Sequence, residues 1–408
     1  MRGSMASVRP LRGWRPRPEI AGTLACPPYD VISTAEARSI VRGNPDSFLN
    51  VIKPELHSDG AQGYRRAREC YLRMKRNAVL IEDEKPCFYL YRLSAGDFGQ
   101  TGVVGLTLVE EYRGGRIKKH EHTQENKVLD RLRLMHHLGA QTGPAFLAYR
   151  RDPQVDELVE DVQHMEPLYD FVRPDGVRHQ FLRVESEPWI GTLERAFTRI
   201  PALYIADGHH RTEAAARYAG ERALHSRAGE PPGFLSVLFP AADLRILPYN
   251  RVVRDLNGLS AEQFLQALAE RAHLEPQPHR RPGPPAEGEF ALYIKGEWHL
   301  VYPGRESGNK RTAGELDVTL LHETILRPIL KIEDPRRDSR VQFIGGWNSE
   351  RELVRVVDSG EYAAGFCIHP TRMSDVMAVA DRGAVMPPKS TWFEPKLLSG
   401  LITYDLNT

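Results

Sequence analysis

The stretch "LYIADGHHRTEAAARYAG", Leu203 to Gly220, constrains the fold more than any other part of the chain. "ALYIA" is short, apolar and bounded, as a buried strand is, whereas "RTEAAARYAGERAL" is alanine-rich and built from strong helix formers. Asp207, Gly208, His209 and His210 therefore fill a strand-to-helix turn. Such a turn gathers free backbone N–H groups and the positive end of a helix dipole, an arrangement suited to phosphate. Gly208 permits the tight turn or a close backbone approach, and Arg211 adds a planar, permanently charged fork that matches phosphate bidentately. A plainer reading makes Asp207 a helix cap and lets the histidines bond locally. The Walker pattern GxxxxGK[ST] is absent.

The surroundings of this turn set the fold class. "CFYLYRLSA" and "QTGVVGLTLVEEY" flank the turn "GDFG" and predict a hairpin. "PAFLAYR", "HQFLRVES", "GFLSVLFP" and "LRILPYNRVV" read as further strands, and "EFALYIKGEWHLVYP" as a hairpin turning at Gly296. Helices are predicted in "GAQGYRRARECYLRMKRNAVL", in "QENKVLDRLRLMHHLG" with Thr123 as N-cap and Gly139 as stop, and in "TLERAFTRI", "SAEQFLQALAERAHL" and "LDVTLLHETILRPIL". Strands and helices without regular alternation indicate an α+β fold with a mixed sheet core, not a doubly wound sheet.

At 408 residues the chain is longer than one core usually supports. "EPQPHRRPGPPAEG" has the only linker-like composition, so the expected division is a main catalytic domain over 1–275, a Pro-rich linker over 276–288 and a C-terminal α/β region over 289–408. MRGSMAS has the look of an expression leader, with Met5 a native start. Cys26, Cys70, Cys87 and Cys367 are scattered without a CxxC pair and read as reduced thiols. Lys and Arg total 55 against 54 Asp and Glu, which gives no electrostatic footprint for nucleic acid or an anionic membrane. No apolar run reaches the length of a membrane span, and no signal-peptide core is present, so the expected location is cytoplasmic.

Two further constellations carry chemistry. "KKHEHT", Lys118 to Thr123, lies between a strand and a helix and gathers Lys118, Lys119, His120, Glu121 and His122. It offers phosphate contacts, a general base and a metal ligand, against the plainer reading of a solvated charged turn. "MPPKST" presents Lys389, Ser390 and Thr391 behind two prolines, with Lys396 shortly after. "CPPYDVIS" fixes Tyr29 and Asp30 in a rigid turn, either scaffold or substrate contact. His120, His122, Asp207, His209 and His210 are also the residue types that bind Zn²⁺ or Fe²⁺. HExxH is absent, and a spacing of two splays His120 and His122 on a helix, so a metal hydrolase requires strand or loop geometry.

"RPLRGWRP", "CPPYDVIS", "NPDSFLNV", "IKKHEHT", "LYIADGHHRTEAA", "LRILPYNRVV", "GEYAAGFCIHPT" and "MPPKSTWFEPKLLSGL", in this order, resemble domain-of-unknown-function family 1015 from about residue 8 to the C-terminus. "IADGHHR" is also similar to the signature loop of SerK-type free-serine kinases of the ParB/sulfiredoxin-like superfamily. That resemblance implies a ParB/SerK-like strand-loop-helix phosphate site and phosphorylation of free L-serine to O-phosphoserine from ATP or ADP with Mg²⁺. It places Asp207, His209, His210 and Arg211 at the phosphoryl donor. The kinases use a glutamate as general base, a role that Glu121 fills here on chemical grounds. The arginine-bearing motif of CTP-binding ParB relatives is not visible.

The expectation is a small-molecule kinase. Glu121, Asp207 and His209 are its catalytic residues, and Gly208, His210, Arg211, Lys118, Lys119, Lys389, Ser390 and Thr391 its phosphate contacts. Tyr29, Asp30, His120 and His122 would hold a hydroxylated metabolite. A homodimer is left open, with no nucleic-acid or membrane partner. The alternatives are a metal-dependent hydrolase and a ParB-like nucleotide-dependent binding module; the balanced charge speaks against the module.

Overall fold

The computed structural model describes residues 8–223, 231–303 and 316–406; MRGSMAS and Met5 fall outside them. Two compact units emerge, one made of Met1–Leu244 with Pro395–Thr408, the other of Arg245–Glu394.

The first unit is built on a nine-stranded sheet: β1 (Val8–Arg9), β2 (Phe88–Ala95), β3 (Phe98–Leu108), β4 (Ile117–Lys118), β5 (Ala145–Tyr149), β6 (Tyr169–Val172), β7 (Arg178–Val184), β8 (Leu203–Asp207) and β9 (Gly233–Pro240). Their order is β4-β8-β5-β9-β3-β2-β7-β6, with β1 on β3. β4 runs parallel to β8 and β9 parallel to β5, while the other pairs are antiparallel. The hairpin predicted around "GDFG" is β2–β3, with Ala95 opposite Phe98. β1 docks beside Gly105, where a Cβ would fall 2.9 Å from the Arg9 carbonyl oxygen and 2.8 Å from the Phe88 ring.

Three helices matter for the site: α1 (Gly60–Arg76), α2 (Glu125–Leu138) and α3 (His209–Ala223). Tyr64, Ala67, Tyr71 and Met74 of α1 are buried, as their helical spacing predicts. Gly139 ends α2 in the left-handed conformation at φ 64°, as expected of a glycine stop. Val128, Leu132 and Met135 of α2 share one core with Ala214, Ala215 and Ala219 of α3 and with Leu203 and Ile205 of β8. Every residue of "LYIA" is buried, which explains a strand that reads as a continuous apolar run.

The second unit carries a six-stranded sheet: β10 (Tyr249–Val253), β11 (Ala272–Pro276), β12 (Phe290–Ile294), β13 (Glu297–Pro303), β14 (Val341–Gly345) and β15 (Ala364–Ile368), in the order β11-β13-β12-β15-β10-β14. β12 and β13 form the hairpin expected at Gly296.

Four expectations change. Residues 276–288 do not separate domains, because β11 and β12 on either side both pair with β13 in the same sheet. The boundaries fall at 244/245 and 394/395, so 289–408 is not one region. Its last residues join the first unit: Ser399 bridges to Cys26, Thr403 to Trp14, and Tyr404–Asp405 pairs with Ala140–Gln141. The helix of "SAEQFLQALAERAHL" stops at Ala269, because the next apolar residues enter β11. "LDVTLLHETILRPIL" is helical over Asp317–Leu321 and then widens over His322–Leu326.

The four cysteines form no disulfide. No helix among the described residues is long and apolar enough to cross a membrane.

Candidate active site

Parallel pairing of β4 and β8 decides how the motifs meet. Ile117 lies opposite Leu203 and Lys118 opposite Tyr204, so the turn after Lys118 and the turn after Asp207 leave the sheet on the same side. "KKHEHT" thus faces "DGHHR". The His120 and His209 rings stand 4.5 Å apart, centre to centre, at 88°. His209 Nδ1 is 3.9 Å from Glu121 Oε2.

The sequence predicts a strand-to-helix turn at 207–210, and α3 does begin at His209. Gly208 has φ 91°, the left-handed region, and a Cβ there would fall 3.1 Å from Arg211 Nε. Its backbone N–H donates to Asp207 Oδ1 at 2.7 Å. Its carbonyl accepts from the Thr212 backbone N–H at 2.9 Å and from the Thr212 hydroxyl at 3.1 Å.

Arg211 and Lys396 converge on Asp207. Arg211 Nη2 is 3.6 Å from Asp207 Oδ1, and Lys396 Nζ donates to Oδ2 at 3.4 Å. Burial works against the Asp207 charge, but Lys396 and Arg211 outweigh it and hold the carboxyl well below the usual range. Asp207 is therefore an organiser of cations and a poor proton acceptor. Arg211 Nη1 donates to the Pro144 carbonyl at 2.5 Å, while its Nε is buried without a hydrogen-bond partner. Burial disfavours the guanidinium charge, and Asp207, Asp30 and Tyr29 together offset that and raise its pKa.

Arg211 also lines an open pocket with Tyr29, Arg131, Gln141, Gly143 and Phe234. Arg131 stacks on Tyr29, 3.8 Å from the ring centre. Burial and the neighbouring Asp30 push the Tyr29 hydroxyl up to about 12, so it stays protonated and able to donate. Asp30 itself is exposed.

His120 and His209 are deeply buried, 2% and 3% exposed. Burial pushes His120 down to about 4, and burial together with His120 pushes His209 well below its ordinary value. Both imidazoles are neutral at physiological pH. One ligand atom each from His120, Glu121 and His209 lies within 4.8 Å of the others, the one group among the described residues arranged to hold a metal ion.

Other expected site residues have different surroundings. His210 Nε2 accepts the Gln124 backbone N–H at 3.0 Å and so joins α3 to the start of α2. Gln124, not Thr123, is the N-cap there, because Gln124 stays extended (φ −90°, ψ 123°) and the helix starts one residue later, at Glu125. Lys118 is half-buried in β4, and Lys119 lies over Tyr112, 4.6 Å from the ring centre. His122 is exposed. Lys389, Ser390 and Thr391 belong to the second unit. There the Ser390 hydroxyl donates to the Pro387 carbonyl, Thr371 donates to the Ser390 carbonyl, and Arg251 donates to the Lys389 carbonyl.

Lys396 is the residue that the choice of Lys389 missed. It stands two residues beyond the boundary, in the tail that returns to the first unit. Arg131 and Gln141 carried no sequence signal, since each sits in an ordinary amphipathic or strand-edge position.

The family described as "Protein of unknown function (DUF1015)" matches residues 8–319. The chain belongs to this family. In this DUF1015 protein the match takes in both motifs that meet at the site and ends before Lys396. Among solved structures, a free serine kinase variant in complex with AMP is 16% identical over 72% of this chain and 87% of its own, with a TM-score of 0.32. A conserved hypothetical protein from Pyrococcus furiosus is 15% identical over 74% and 95%, TM-score 0.32. SbnI with a C-terminal truncation, from Staphylococcus aureus, is 9% identical over 72% and 85%, TM-score 0.37. These likenesses are too distant to assign a ligand. No curated protein matches the sequence.

Proposed function

We propose that the protein is a small-molecule kinase that transfers a phosphoryl group from ATP or ADP to the hydroxyl of free L-serine or a similar metabolite. One observation carries the reading. Arg211 is a largely enclosed, charged guanidinium with a buried, unpartnered Nε, set beside a left-handed glycine at a helix start and lining an open pocket. A buried N–H without a partner is costly, and a phosphate oxygen supplies the acceptor it lacks.

Phosphoryl transfer needs positioning and charge neutralisation more than covalent chemistry from the protein. Arg211 and Lys396 supply two cations over the transferring group, and Asp207 keeps both in place. The acceptor hydroxyl oxygen forms a bond to phosphorus as the bond from phosphorus to the leaving nucleotide oxygen breaks. The hydroxyl proton passes to Glu121, whose half-exposed carboxylate stands at the mouth of the two-histidine cluster. Asp30 offers a carboxylate for an acceptor ammonium and Tyr29 a hydroxyl for its carboxylate. Mg²⁺ would arrive on the nucleotide phosphates and neutralise their charge, because Asp207 is already engaged by Lys396 and Arg211.

The test incubates the protein with ATP, ADP or pyrophosphate and a panel of hydroxylated metabolites, reading phosphorylated product by ³¹P NMR. Product with serine or a close analogue is expected. Absence of product with every donor, together with no nucleotide binding by calorimetry, overturns the reading.

A further inference from the structure

Arg211 and its pocket leave one part of the site without a task, the buried pair His120 and His209. Their rings meet edge to face, 4.5 Å apart centre to centre. A neutral imidazole has one N–H and one lone pair. His120 hydrogen-bonds to the Ile205 backbone carbonyl, which fixes the N–H on that side and leaves a lone pair on the other nitrogen. Metal-binding histidines characteristically donate their second nitrogen to a backbone carbonyl in this way. His209 Nε2 is buried with no hydrogen-bond partner, and its Nδ1 stands 3.9 Å from Glu121 Oε2, too far for a hydrogen bond. Two imidazoles and a carboxylate thus bring one ligand atom each within 4.8 Å of the others.

We infer that His120, Glu121 and His209 form a binding site for one divalent transition-metal ion of the Zn²⁺ or Fe²⁺ class. Two nitrogens and one carboxylate oxygen suit that class better than Mg²⁺ or Ca²⁺, which prefer oxygen alone. A tetrahedral ion about 2.1 Å from each donor requires donors about 3.4 Å apart. The three ligand atoms, within 4.8 Å of one another, reach that spacing by a small closure. Glu121, the half-exposed member in a turn, is the one whose side chain makes that closure. Monodentate binding leaves its second oxygen available, and the fourth position of the ion open to solvent or substrate. Asp207 places its negative charge near both imidazoles, which favours a cation there. The site stands independently of phosphoryl transfer, since binding alone decides it.

The test uses full-length protein stripped with a chelator and titrated with Co²⁺, read by visible d–d absorption, with Zn²⁺ stoichiometry by elemental analysis. One ion per chain is expected. Glu121→Gln, at a half-exposed position, should weaken Co²⁺ binding by at least tenfold with unchanged circular dichroism. His209→Ala should abolish it, and exposed His164→Ala should leave it unchanged. Absence of saturable stoichiometric binding overturns the proposal, as does binding unaltered in Glu121→Gln and His209→Ala. If His209→Ala fails to fold, Glu121→Gln alone decides. Metal bound by protein that gives no phosphorylated product and binds no nucleotide would overturn the kinase reading and leave this one standing.

Discussion

Two turns in this chain look alike on paper and differ in what the fold leaves unsatisfied. "DGHHR" and "PPKST" each set a cation among small polar groups where the chain changes direction. In the second, Arg251 reaches the Tyr249, Pro388 and Lys389 carbonyls and stacks over Phe343, while Ser390 bonds its own loop. Arg251 has only carbonyls and a ring around it, and burial lowers its pKa. Arg211 is somewhat more exposed, pairs with Asp207 and keeps a donor without an acceptor. Composition marks both turns as candidates; what separates them is leftover bonding capacity beside a pocket, which only the first has.

The comparison breaks first at Arg211. Arg211→Ala should lower phosphoryl transfer by about 10²–10³-fold, the usual effect of removing one donor that stabilises developing charge. A loss below tenfold in the steady-state assay would put the two turns on the same footing. Lys396→Met should reduce kcat about tenfold, with KM changing less, because Asp207 then holds one cation instead of two. Lys389→Met should change neither by more than about twofold.

Backbone conformation sharpens the contrast. Gly208→Ala should destabilise the protein by about 1–3 kcal/mol in thermal melts, since φ is 91° and the new Cβ meets the guanidinium. Lys389 is a non-glycine residue at φ 53°, so Lys389→Gly should be neutral or stabilising by about 1 kcal/mol. Equal signs for the two substitutions would remove the distinction.

His179 supplies the smallest test. It is buried, bonds the Tyr91 hydroxyl through Nδ1 at 2.7 Å, and keeps an unpartnered Nε2 among aromatic rings. Burial and Arg173 push it down to about 3 from an ordinary 6.5. Its folded pKa is below its unfolded value, so its stabilising contribution is complete above pH 6.5 and declines as pH falls toward 3. Denaturant melts between pH 6.5 and 4 should show a slope shallower by about 1.4 kcal/mol per pH unit in His179→Gln. An identical slope would mean that His179 is protonated in the folded protein.

Local patterns made most of this legible. The hairpin at "GDFG", the glycine stop at Gly139 and the start of α3 all depend on a few consecutive residues. Facing of the two motifs depends on β4, a strand of only Ile117 and Lys118, too short for any periodicity. Lys396 was harder still, because its partner Asp207 lies 189 positions earlier. Thr123 has the chemistry of an N-cap, but Gln124 stays extended, its N–H held by His210, and the helix starts one residue later. Proline-rich 276–288 looked like a linker because composition alone does not tell a connection within one sheet from one between domains.

The first unit is discontinuous in sequence, and this has a consequence for biosynthesis. Residues from Pro395 onward leave the ribosome only after all of Arg245–Glu394. During synthesis domains fold as units from the N-terminal side, so β8 and α3 can be in place while Lys396 is still untranslated. A nascent chain stalled before that point carries Asp207 and Arg211 without their third charge. Assembly of the Asp207–Arg211–Lys396 cluster thereby waits until synthesis has passed Lys396.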